Sequence, residues 1–134
     1  MPLTAIIYAT RKQGVAPAEF KKHYEESHVP LVKSISGHLF PKSHTRFYVQ
    51  RTHTGDSSDK SNKAYPATVL VGGQEAFDYD AYAELVFEDM QAFQQFMGCV
   101  TQPEAAKKIA EDEEKFLERS KMIAALVDDV KVTT

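Results

Sequence analysis

The order of hydrophobic periodicities along the chain leaves few folds open. Leu3–Ala9 is a short apolar run containing Ile6, Ile7 and Tyr8 and reads as a buried strand. A polar loop with Gly14 follows, and Pro17 and Glu19 suit the first turn of a helix. Phe20, Tyr24, His28, Leu31 and Ile35 then recur at helical spacing, a stripe about 80° wide at about 100° per residue. Pro30 falls inside this stripe. Its ring removes a backbone bond and disfavours helix at Val29, so a kink or two helical pieces are expected beside His28.

Past a loop with Gly37 and Pro41, residues 44–51 alternate as a strand. His44, Arg46 and Tyr48 share one face and Thr45, Phe47 and Val49 the other, the second set reading as core. Residues 52–64 are polar, lack periodicity and read as mobile, and residues 68–71 read as a short strand. Residues 81–87 form a better strand. Asp89 can cap a helix carrying Met90, Phe93, Met97 and Val100. The run Thr101-Gln102-Pro103-Glu104 matches a capping box, so a new helix starts there, with Ala105, Ile109, Glu113, Phe116 and Ser120 as its stripe. Residues 122–132 close the chain as a strand. Strand, helix, strand, strand, helix, strand is a split βαβ order, which predicts an α+β fold: an antiparallel sheet with the helices on one face. The other face then needs cover, and a second copy of the chain is the simplest cover, so a homodimer is expected.

At 134 residues the chain suits one domain, residues 1–134, and 43% hydrophobic residues are enough for a core without staples. Its one cysteine, Cys99, makes an internal disulfide or a multi-cysteine zinc site impossible. A net charge of −3 with no basic face argues against nucleic acid as a partner. No apolar run approaches the roughly 20 residues of a membrane span, and the first nine residues do not read as a secretory signal, so a cytoplasmic protein is expected.

Three segments carry a family resemblance: His23-Tyr24-Glu25-Glu26-Ser27-His28-Val29-Pro30-Leu31-Val32-Lys33, then Phe40-Pro41-Lys42-Ser43-His44-Thr45-Arg46-Phe47-Tyr48-Val49, then Asp112-Glu113-Glu114-Lys115-Phe116-Leu117. Together they resemble the EthD-domain proteins of the dimeric α/β-barrel superfamily, over roughly residues 3–130. The resemblance implies a ferredoxin-like βαββαβ protomer, a four-stranded antiparallel sheet and a dimeric α/β barrel. It is nearest to small fungal proteins that tailor aromatic polyketides, whose relatives are described as dehydratases, decarboxylases or cyclases.

No nucleotide, flavin or nicotinamide fingerprint and no HExxH is present, so neither cofactor nor metal is expected. His23 and His28, five apart, lie about 140° around an ideal helix and should not share a ligand from one face. What remains is chemistry driven by proton transfer: dehydration of a β-hydroxy ketone, decarboxylation of a β-keto acid, or aldol closure, each through an enolate-like species.

His28 is the leading acid/base candidate, because imidazole titrates near neutrality. A core histidine bonded to a carbonyl freed by Pro30 is the structural alternative, and the resemblance favours catalysis. Glu113 sits in an apolar stripe, where an unpaired carboxylate is costly. It reads as orienting His28 or a substrate hydroxyl, or else as a partner for Arg46. Arg46 and Tyr48 are candidates to polarise a carbonyl or donate to the enolate. Tyr8, Tyr24, His44, Asp112 and Phe116 complete the set as substrate-binding candidates. For His44 a solvent or dimer contact is the stronger reading, and Asp112, about 100° from Glu113, reads as solvated. The expected function is a cofactor-free lyase acting on an aromatic polyketide. A cyclase and a non-catalytic carrier of hydrophobic small molecules are the rivals.

Overall fold

A computed structural model describes residues 1–134. Four strands, β1 (Leu3–Ala9), β2 (Ser43–Tyr48), β3 (Ala81–Phe87) and β4 (Ile123–Val127), form one sheet in the order β2-β3-β1-β4. Every pairing is antiparallel. This is the ferredoxin-like arrangement, and its helices lie on one face of the sheet.

The first helical run is continuous. Helix α1 (Pro17–His23) passes through a π turn (Tyr24–His28) into α2 (Val29–Ser36), with His28 and Val29 both in right-handed helical conformation. The amide of Val29 donates to the carbonyl of Tyr24, five residues back. Pro30 explains the turn: it has no amide proton, and its ring would crowd the carbonyl four residues earlier in a regular helix. Widening the helix by one residue per turn absorbs both problems without the expected break. Gly37, at φ 55°, ends α2.

The second pair of helices is α3 (Met90–Val100) and α4 (Pro103–Glu113). The Asp89 carboxylate caps α3 by accepting from the Ala92 amide at 2.8 Å. The capping box expected at Thr101 does not form, because that hydroxyl donates backward to the Met97 carbonyl and Gln102 becomes the capping residue. Residues 68–71 are not a strand either. They follow a segment tied by main-chain bonds from Thr52 to Pro66, Thr54 to Ala64 and Thr68 to Gln50, so residues 52–64 are held at their base.

Two hydrophobic clusters sit between sheet and helices. Ala9, Phe20, Tyr24, Ala81, Phe116 and Leu117 form one; Ala5, Ala83, Leu85, Phe87 and Phe96 form the other. Alanines on β1 and β3 leave room for the large rings to seat on the sheet. The strand alternation of β2 runs opposite to the expectation. His44, Arg46 and Tyr48 are half-buried toward the helices, while Ser43, Thr45 and Phe47 are exposed. Phe47 instead stacks on Tyr82 at 4.5 Å on the open face, and Tyr82 stacks on Tyr8 at 5.7 Å. An aromatic row therefore lies on the uncovered side of the sheet, and Tyr8 belongs to it. No helix is long and apolar enough to cross a membrane.

Candidate active site

A cavity of about 270 Å³ opens between the sheet and the helices, where the two clusters meet. Of its 17 lining residues 13 are hydrophobic, Tyr24 among them with its hydroxyl, and the four others are His28, Pro41, His44 and Glu113. The polar groups therefore stand out against an apolar wall, the usual character of a small-molecule site.

His28 is built into this wall by the π turn. Its Nδ1 lies 2.9 Å from Asp112 Oδ2, and its Nε2 lies 3.8 Å from Glu113 Oε2. An ionised carboxylate only accepts, so the Asp112 contact places the ring proton on Nδ1 and leaves Nε2 as the basic nitrogen. Two adjacent residues of α4 thus address the two nitrogens of one imidazole. Phe116 packs behind the ring at 5.2 Å between centroids; it is almost fully buried core and does not line the cavity.

Asp112 is buried, at 6% exposure, and corrects its reading as solvated. Its Oδ1 accepts from Ser27 Oγ at 2.9 Å and contacts His23 Nε2 at 3.0 Å. Burial pushes this carboxyl upward, but the hydrogen bonds from His28, Ser27 and His23 together carry it below the ordinary aspartate value. His23 and His28 do share a ligand, contrary to the ideal-helix estimate. On a π turn, residues five apart approach one face.

Glu113 lines the cavity, and its partner is Arg119, at 3.2 Å from Oε1, and not Arg46. Arg46 and Tyr48 are committed elsewhere. Arg46 holds Glu25 through two contacts of 2.5 and 3.0 Å, and the Tyr48 hydroxyl donates to the same carboxylate at 2.5 Å. The Arg46 hydrogen bond in turn holds the Glu25 carboxyl below its usual range. Neither Arg46 nor Tyr48 lines the cavity, and Tyr8 is on the opposite face of the sheet. The sequence reading missed Glu25 as the partner that removes both from the site.

Tyr24 and His44 do line it. Burial pushes the Tyr24 hydroxyl up to about 12, so it remains a neutral donor. Burial, aided by the Arg46 charge, takes His44 down to about 4, so its ring is uncharged at neutral pH. No group of three or more His, Cys, Asp and Glu side chains is placed to hold a metal ion.

Comparison with known proteins accords with this fold. The EthD domain model matches residues 12–120. Among solved structures, an EthD family protein from Bacillus halodurans C-125 superposes with a TM-score of 0.55 at 16% identity, covering 97% of this chain and 100% of that one. SnoaB, a cofactor-independent oxygenase from Streptomyces nogalater, gives 0.50 at 14% identity, covering 98% and 95%. A Dabb family protein with a ferredoxin-like fold from Mesorhizobium loti gives 0.54 at 10% identity, covering 97% and 98%. No curated protein sequence matches the chain.

Proposed function

The chain belongs to the EthD domain family, and from that premise we propose that it is a cofactor-free lyase that tailors an aromatic polyketide. The reaction is dehydration of a cyclic β-hydroxy ketone or decarboxylation of a β-keto acid. One observation carries this reading: an imidazole on the wall of an apolar cavity, held through Nδ1 by a buried carboxylate, with Nε2 beside a second carboxylate that lines the same cavity. In dehydration, His28 Nε2 takes the proton α to the ketone. The resulting imidazolium is flanked by Asp112 and Glu113. The β carbon–oxygen bond then breaks as His28 returns its proton to the departing hydroxyl, and water leaves. Tyr24, a neutral donor on the wall, replaces Arg46 and Tyr48 as the group placed to meet the enolate oxygen. The solved relative SnoaB is described as a cofactor-independent oxygenase, which is in keeping with cofactor-free chemistry on this fold.

Product mass tests the reading. Incubation with cyclic β-hydroxy ketones and β-keto acids of fused aromatic rings should yield loss of water or of carbon dioxide. A product of unchanged mass points to the cyclase instead. Tight binding with no conversion of any substrate points to the carrier, and either result sinks the lyase.

The protein acts as a homodimer in this proposal, joined through the aromatic row of the open sheet face. Phe47→Asp places a charge beside Tyr82 in that face. Sedimentation of the wild type should report a dimer, and the variant should run as a monomer with unaltered circular dichroism. A variant that remains dimeric would move the interface elsewhere.

A further inference from the structure

We infer that the cavity takes a neutral hydroxylated aromatic of fused rings and turns away its carboxylate-bearing counterpart. The inference rests on the cavity being the ligand site and goes further, because it names the charge of the ligand. The cavity wall has neither lysine nor arginine. Its one carboxylate, Glu113, faces inward beside His28, and a second, Asp112, stands directly behind the same ring. Even a protonated His28 already has these two carboxylates as its partners.

The remaining cations near the site are spent outside the cavity. Arg119 is half-exposed and contacts the other oxygen of Glu113, Oε1. His23 contacts the other oxygen of Asp112. Arg46 is closed onto Glu25. His44 is on the wall but uncharged at neutral pH. A ligand carboxylate entering here would lose its hydration, find no cationic partner and face Glu113, and each of these raises its cost. A phenol or ketone of the same shape meets no such penalty and finds Tyr24, His28 and His44 as hydrogen-bonding groups. The volume, about 270 Å³, suits a small fused-ring compound.

The consequence for the reaction is direct. Dehydration uses a neutral substrate and releases a neutral product, whereas decarboxylation would need the keto acid to enter as an anion. A precursor that carries a carboxyl group would have to lose it before this step.

Calorimetric titration of the full-length protein at neutral pH with β-naphthol and β-naphthoate tests the claim. The naphthol should bind at least about tenfold more tightly. Glu113→Gln should narrow the gap by strengthening naphthoate while naphthol binding persists, which also shows that the variant is folded. Equal or tighter binding of naphthoate to the wild type overturns the inference alone. A naphthol preference that Glu113→Gln leaves intact overturns the role given to that carboxylate. Failure of both probes to bind removes the cavity as a ligand site, and the proposed function falls with it.

Discussion

Asp112→Asn should lower kcat by about two to four orders of magnitude, close to the effect expected of His28→Ala, and neither change should unfold the protein. The reason is the identity of the ring proton. Asp112 Oδ2 sits 2.9 Å from His28 Nδ1 and, as a carboxylate, can only accept there. A carboxamide in its place can turn its amino group toward Nδ1 and donate. The imidazole then carries its proton on Nε2, the nitrogen that faces the cavity, and cannot act as the base. Shape and volume are nearly conserved, and Ser27 and His23 keep a polar neighbour. Steady-state kinetics on both variants, with circular dichroism as the control, check this; full turnover in either removes the dyad from the mechanism. The same substitution has a signature in acid. The folded Asp112 carboxyl lies below its ordinary value of 3.8, so its stabilisation is complete above that value and drains away as pH falls through the lower folded one. The amide has no such linkage, so urea unfolding of the variant should lose less stability than the wild type on acidification.

How much of this site can be read from the chain depends on helix phase. His28 and Glu113 are visible because each interrupts an apolar stripe, and both do line the cavity. Periodicity hides Asp112 and His23, because an ideal rotation of about 100° per residue turns both away from the stripes, and Asp112 enters as a candidate only through the family resemblance. The π turn resets that phase for His23, and its trace in the chain is Pro30 in a helix that otherwise continues. Two histidines five residues apart just before such a proline are the signal that could have paired them. Arg46 and Tyr48 fail for a different reason. Strand alternation places them on one face but says nothing about Glu25, which lies on the π turn across from them. The strands β1 and β3 keep their expected bounds because they are central and apolar; the closing strand stops at Val127, since the residues beyond it have no neighbour in the sheet.

Asp80→Ala should cost about 3–5 kcal/mol, the largest loss of stability expected from one substitution outside the hydrophobic clusters. Asp80 is 5% exposed and holds two arginines at once. It accepts from the Arg11 amide at 2.7 Å, pairs with the Arg11 guanidinium, and accepts from Arg51 Nε at 2.9 Å. Each arginine then reaches across the long connection between β2 and β3. Arg11 donates to the Lys60 carbonyl, and Arg51 donates to the carbonyls of Tyr65, Phe77 and Tyr79. Leu70 and Val71 of this segment stay exposed and its buried apolar residues, Ala64 and Ala67, are small, so its placement leans on these main-chain carbonyls. Removing the carboxylate leaves two guanidinium groups desolvated without a counter-charge, and most of the cost is that unpaired charge rather than the lost bonds. A domain of this size has only about 5–15 kcal/mol to lose. Equilibrium unfolding in urea checks the magnitude. Asp80 does not line the cavity, so the folded fraction of the variant should keep the wild-type KM. A change below about 1 kcal/mol would mean that the carbonyl contacts alone hold both arginines, and that the carboxylate at the centre of the network is dispensable.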